Sequence, residues 1–455
     1  MAVPNPAMSP DVLQAQIEKV RNKLQVYFET SDQISGIIGR AAEVETISRK
    51  LYRIPIMLYR GGAYQKFNAD AGDMGSGTGM KINSLTAGYL YSDYVVEISL
   101  DAIETTSKPG QAVVNVFAKQ LAEAMTEMKC YDDICFHGNG TGMLTGASSA
   151  YGSAGWSGGD TYTFAGATDT LGIGRLREGM AVNVWNSTGA TKRVTSPQPV
   201  IIDHIDYTGK TAYLAGTVTG GVAGDVLAVA NLTSDTTLTS FSSSWPGTPG
   251  TAGPLSGDTW RHGMYYANDS NPANYYLGQL KSNITQLLPA RVNASSSALT
   301  FAQGLQMLDQ IVQRRDADVN KGMMGVSHMS QRAAVHALGI AISEWWRQPR
   351  QEMIDIMPSN IGYDQTFIFC GVKCYLSKRE DRARFDFLVP KVWGRAQLHD
   401  TKFHEVGGKT VFESRTATGT LKAAQHFIIT QAYDFVCYDP GCQGYIDNLT
   451  LPAGY

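Results

Sequence analysis

The chain has 455 residues, enough for two or three domains with ample core. Lys and Arg number 38 against 41 Asp and Glu, a formal net charge of -3 with only 17% of residues charged, so no global basic field marks a reader of nucleic acid. The 47 Gly, 22 Tyr and 15 Phe describe a β-rich chain with many turns and exclude a disordered one.

The opening MAVPNPAMSPDV lacks a basic stretch followed by an apolar one, so no secretory signal is expected, and no run approaches the length of a membrane span. Synthesis in a cytoplasm follows as an expectation. The six cysteines fall as Cys130/Cys135, Cys370/Cys374 and Cys437/Cys442, spacings wider than a zinc knuckle, and free thiols are expected.

Residues 1–50 read as an N-terminal arm. Ser9-Pro10-Asp11 is a helix start, and Leu13, Ile17, Val20, Leu24 and Phe28 follow at helical spacing above Glu18, Lys19, Arg21 and Lys23. Gly36 and Gly39 interrupt the pattern after Ser31. Two readings stay open for that stretch, an arm that orders against a partner and a helix packed on its own domain.

Residues 51–102 change to period two: Ile54, Ile56 and Leu58, then Tyr94, Val96, Ile98 and Leu100, alternate with polar residues. Between them lies AGDMGSGTGMK, Ala71 to Lys81, so the segment reads as one extended β-hairpin loop with a Gly-rich tip. A hairpin of this length cannot bury both faces on a small domain and is expected to project onto something else. Gly72, Asp73, Met74, Gly75, Ser76, Gly77 and Lys81 are therefore the candidate intersubunit contact.

Residues 103–157 hold a long helix and a linker. Val114, Phe117, Leu121, Met125, Met128, Tyr131 and Cys135 recur at steps of three and four, opposite Lys119, Glu123, Glu127 and Asp132. Thr106 and Ser107 are capping types, Pro109 suits a first turn, and Gly138 sits where a left-handed stop is expected. At about 1.5 Å per residue the rod spans roughly 40 Å. The Gly/Ser/Ala-rich stretch from Ala147 to Asp160 reads as the linker.

Residues 158–260 form a Thr, Val, Gly and Ser island with short strands such as Gly179–Trp185, Val200–Asp203, Thr211–Leu214 and Asp225–Val229. An inserted small β-barrel is expected, closed by the Pro/Gly stretch Trp245 to Pro254. Residues 261–455 read as an α/β core. Thr300 caps a helix with Leu305, Leu308, Ile311 and Val312 on one face, Met323 to Val326 is a buried strand, and Ser327 caps the next helix through Ala333, Val335 and Leu338. From Thr366 strands dominate to Pro440.

Arm, Gly-tipped hairpin, long helix, α/β core and closing strands, in that order, resemble the Hong Kong 97-type major capsid protein of tailed bacteriophages. The residues carrying the likeness are Leu51 to Ala102, Pro109 to His137, the Met323-Met-Gly-Val-Ser-His-Met-Ser-Gln-Arg-Ala-Ala block, Phe385-Asp-Phe-Leu-Val-Pro, and Gln431-Ala-Tyr-Asp-Phe-Val-Cys-Tyr-Asp-Pro. The resemblance implies an α+β Hong Kong 97-like capsid fold with a spine helix and peripheral and axial domains. It also implies a virion shell of hexamers and pentamers around double-stranded DNA, touched non-specifically, with portal, scaffold and decoration proteins as partners and no membrane. An encapsulin-like compartment shell is the alternative that shares the fold. The family's Lys-to-Asn crosslink has no identifiable place here, and Lys66 and Lys81 read as surface lysines.

No active site, cofactor or metal is expected, so the chain does not read as an enzyme. Gly155-Trp-Ser-Gly-Gly159 spells a nucleophile elbow, yet Ser157 lies in linker where strand and helix are needed. Gly408-Lys409-Thr410 lacks the first glycine of a phosphate loop, since Phe403 stands there. His404-Glu405 has no second zinc-protease histidine, and His328 and His336 read as core or solvent contacts. A serine hydrolase built on Ser157 and a β-rich adhesion protein using the island are the remaining, weaker readings.

Overall fold

A computed structural model describes residues 34–38, 45–47, 51–59, 79–99, 111–153, 159–165, 171–186, 192–230, 260–315, 322–345, 366–415 and 419–451. The arm helix expected over 11–28, the hairpin tip at 72–77, Ser157 and the stretch 245–254 lie outside these residues. The chain divides into two compact units, one of Met1–Arg40, Tyr89–Asp133 and Arg395–Asp434, the other of Ala41–Gly88, Ile134–Gly394 and Phe435–Tyr455.

The long helix, Gln111–Phe136, belongs to the first unit as far as Asp133 and to the second from Ile134, and in the first unit it lies on a sheet. Leu121, Ala124, Met125 and Met128, one stripe at steps of three, one and three, bury against Ile98, Phe403, Val411, Phe427 and Ile429. The sheet places Leu421–Cys437 between Trp393–Phe403 and Val411–Arg415, and Tyr91–Ser99 also pairs with it. In that antiparallel register Val96 faces Phe427 and Tyr94 faces Ile429. Strict alternation on Tyr91–Ser99 puts Tyr94, Val96 and Ile98 toward the helix and leaves Tyr91, Asp93, Val95 and Glu97 exposed.

Two expectations for the helix change. Asp132, placed by periodicity on the exposed face, is buried because Gln431 Nε2 donates to its carboxylate at 3.0 Å; beside it Asp133 accepts from Ser35 N at 3.2 Å. Gly138 ends the helix by donating to Cys135 O at 2.9 Å, without a left-handed backbone. It is nonetheless sterically required, since a Cβ there would sit 2.9 Å from that same carbonyl.

The second unit contains the hairpin. Leu51–Tyr59 pairs antiparallel with Lys81–Gly88, Ile54 opposite Leu85 and Tyr52 opposite Ala87. Tyr52, Ile54, Ile56, Leu85 and Ala87 are buried at its root. The segment 51–102 is thus not one hairpin: its expected return arm, Tyr91–Ser99, belongs to the other unit and pairs with 424–432. Period-two alternation identifies a strand but not its partner.

The same unit holds the island. Its sheet runs in the order Val226–Val229, Ala181–Trp185, Val200–Asp206, Thr211–Leu214, Thr161–Thr163, Ala150–Gly152. The chain just before Ala150 returns to the first of these strands: Leu144 N donates to Leu227 O at 2.9 Å, Ser148 N to Asp225 O at 2.9 Å, and Ser149 N crosses to Thr163 O at 2.7 Å. Backbone hydrogen bonding therefore closes on itself around buried Tyr162, Phe164, Val182, Val184, Ile202, Leu214 and Val226. Part of the stretch read as linker, 147–152, thus supplies the closing strand.

The core of this unit is a six-stranded mixed sheet ordered Ala290–Ser297, Gly444–Leu449, Phe385–Leu388, Met324–Ser327, Val372–Leu376, Thr366–Phe369. The helix Phe301–Arg315 packs Met307, Leu308 and Ile311 onto it, and Met329–Trp345 contributes Val335. Thr300 and Gln303 cap the first helix reciprocally, Gln303 N donating to Thr300 Oγ1 and Thr300 N to Gln303 Oε1, 3.3 and 2.9 Å. Leu305 and Val312, expected on the buried stripe, are 54% and 38% exposed, because the face that meets the sheet is narrower than the apolar sector. Ser327 closes the strand instead of capping the second helix; His328 Nδ1 accepts from Ser330 N at 3.1 Å in its place.

Candidate functional site

Of the candidate contact residues, Gly72 to Gly77 lie outside the described residues and Lys81 is the exposed first residue of its strand. Beside it Met80 and Ile82 are 55% and 57% exposed. The hairpin thus carries buried apolar residues at its root and uncovered ones at its far end. Apolar side chains so placed gain by meeting another surface, at about 25 cal/mol per Å² removed from water.

The other sequence candidates do not gather. Val406 and Lys409 exchange backbone hydrogen bonds at 3.0 and 3.1 Å around Gly407 and Gly408, both at positive φ, so the Gly-Lys-Thr spelling is a tight hairpin turn. His404 is exposed, with its ring 6.0 Å from Phe412. His328 is a helix cap whose pKa falls to about 4 through burial and the nearby charges of Arg382 and Lys210, in keeping with an acceptor Nδ1. Among the described residues no group of three or more His, Cys, Asp or Glu could hold a metal ion, and no helix is long and apolar enough to cross a membrane.

A buried polar knot that sequence reasoning missed lies in the second unit. In Lys378-Arg-Glu-Asp-Arg-Ala-Arg384 the charged residues Arg379, Glu380, Asp381, Arg382 and Arg384 are all under 8% exposed. Arg384 sits between the rings of Tyr265 and Tyr445, 4.1 and 3.8 Å from their centroids, and grips Asp386 through two bonds of 2.7 and 2.8 Å. Asn268 donates to the same carboxylate at 3.0 Å. Arg175 donates to three backbone carbonyls, His137 O at 2.6 Å, Arg379 O at 2.8 Å and Met143 O at 3.4 Å. It thereby joins the end of the long helix, the start of the barrel and the charged segment. A density of six charged residues in seven was the available signal; charge density alone does not reveal that partners exist to bury it.

A smaller network sits in the barrel. Arg193 holds buried Asp225, its Nη2 2.8 Å away, and Tyr162 donates to the same carboxylate at 3.2 Å. Tyr151 donates to Asp160 at 2.8 Å, and burial followed by that carboxylate pushes the Tyr151 phenol up to about 12. These groups satisfy one another. Acid, base and hydroxyl are present in the knot, but Glu380 and His137 are wholly buried, where no substrate can reach them.

The described residues form a mixed α+β protein, strand-rich with few helices. No family model matches it, and no curated protein does. Among solved structures it is similar to the capsid asymmetric unit of cyanophage A-1(L), with a TM-score of 0.45 and 9% identity over 91% of this chain and 90% of that one. It is also similar to the capsid of a native GTA particle, at 0.43 and 8% over 92% and 94%, and to the holo-SrpI encapsulin complex from Synechococcus elongatus, at 0.36 and 8% over 82% and 78%. These likenesses are low, and the functional reading rests on this chain's own architecture.

Proposed function

We propose that this chain is a major capsid protein of Hong Kong 97 type, which self-assembles into an icosahedral shell of hexamers and pentamers enclosing double-stranded DNA. The observation that carries the reading is the hairpin, rooted by Tyr52, Ile54 and Leu85 and ending in exposed Met80 and Ile82 beside Lys81. Its tip, Gly72 to Gly77, is the contact with a neighbouring subunit. A shell subunit needs large complementary surfaces rather than an active site, and repetition multiplies weak contacts. The near-neutral charge, -3, suits a wall that encloses DNA without immobilising it through phosphate contacts.

Portal, scaffold and decoration proteins are the partners this role calls for, in a virion built within a host cytoplasm. The chain has no catalytic role on this reading. The test is expression of the full chain with the structural proteins encoded beside it, followed by electron microscopy. Closed shells support the reading; monomers or small closed oligomers under every condition refute it. Shells that load an enzyme and exclude DNA would place the chain with compartment proteins instead.

A further inference from the structure

The charged segment meets the end of the long helix at one pair of side chains. Glu380 Oε2 lies 3.6 Å from His137 Nε2, and both side chains are wholly buried. Glu380 Oε1 accepts from the Tyr265 hydroxyl and from Asp381 N, the latter at 3.2 Å. Charged and titratable groups face this carboxyl from every side: His137 from the helix end, Tyr265 from the short helix Met264–Ala267, and Arg384 and Asp386 around the start of the strand Phe385–Leu388. Arg175 faces it from the barrel side, and Asp381 belongs to its own segment. Arg384 is committed to Asp386 and Arg175 to three carbonyls.

We propose that Glu380 and His137 form a proton-dependent latch: the segment 379–384 stays docked on the helix end while the Glu380 carboxyl keeps its proton, and opens when alkaline conditions remove it. A carboxylate formed here would lack water and would face the charge of Asp386. Burial first, and Asp386 next, raise Glu380 well above the usual carboxylate range, against the opposing effects of the Tyr265 hydrogen bond, Arg384 and Arg175. Because the folded value is the raised one, the stabilisation is complete below the unfolded pKa and is lost as pH rises through the folded pKa. The latch concerns the folded subunit and does not depend on the shell reading.

The experiment compares full-length wild type with Glu380→Gln, a fixed analogue of the protonated acid, by hydrogen exchange with mass spectrometry at about pH 6 and about pH 9. Rates are corrected for intrinsic exchange. Peptides covering 129–142 and 377–388 in the wild type should open more at the higher pH, by about tenfold per pH unit over the range between the unfolded and the folded pKa, and those of E380Q should not. Equal opening in both proteins, or opening in neither, overturns the proposal. Should E380Q fail to fold, the wild type decides: opening confined to these two segments supports the latch, and uniform or absent opening contradicts it.

Discussion

Replacing Arg175 by Met keeps most of the side-chain stem and removes the guanidinium from a site that is 1% exposed. Three buried carbonyls, those of His137, Met143 and Arg379, then lose that donor. Hydrogen bonds from a charged donor contribute roughly 1.5–3 kcal/mol each, and the 3.4 Å contact counts for less, so the gross loss is about 4–6 kcal/mol. Against this, burial itself disfavours the charged guanidinium, lowering its pKa, and the apolar replacement removes that cost. A net destabilisation of about 3 kcal/mol remains, or roughly 6 °C at about 2 °C per kcal/mol for a large domain. Thermal unfolding of the unassembled full chain measures it. Arg175→Lys, a single point donor, should recover only part of the loss. An R175M midpoint equal to or above that of the wild type would refute the view that carbonyl capping outweighs desolvation at this position.

Leu121→Asp places a carboxylate among Met125, Phe427 and Ile429 and should unfold the first unit or lower its stability by more than about 4 kcal/mol, read by urea unfolding followed on that unit. Deleting 72–79 should leave circular dichroism and the unfolding midpoint unchanged while abolishing normal shells in micrographs; intact shells would remove the role given to the tip. His328 is held neutral, with a pKa of about 4 against the ordinary 6.5. Its contribution is therefore complete above about pH 6.5 and is lost as pH falls toward 4, up to about 3 kcal/mol. His328→Asn keeps a capping acceptor and should flatten that acidic limb of a stability-against-pH curve; an unchanged slope would show that another group titrates there.

What the sequence revealed follows the range over which each signal acts. The stripe Leu121, Met125, Met128 and the Thr300 cap are local patterns, and both appear where periodicity and residue type put them; the reciprocal bond from Gln303 comes from the structure. The missing first glycine before Gly408-Lys409-Thr410 is likewise a local signal, and the stretch is a turn, not a phosphate loop. Tyr91–Ser99 was recognised as a strand and given the wrong partner, because its mate lies more than 300 residues away at Ala424–Ala432 and alternation carries no information on pairing. The barrel's closing strand was hidden in Gly, Ser and Ala around Ala150, residues that pack closely but leave no apolar pattern. Periodicity puts Asp132 toward solvent, and the segment 379–384 carries no pattern that marks it as buried; Gln431, Tyr265, Tyr445 and Arg175 hold these charges inside, and none of them is near in sequence.

The most direct test of the shell reading is cryo-electron microscopy of particles purified from cells expressing the full chain with its neighbouring structural proteins. The account predicts closed icosahedral shells of hexamers and pentamers, with the strands Leu51–Tyr59 and Lys81–Gly88 extending so that Met80 and Ile82 are covered by an adjacent subunit. Shells in which those side chains stay in solvent, or preparations that never pass beyond small oligomers, would contradict it.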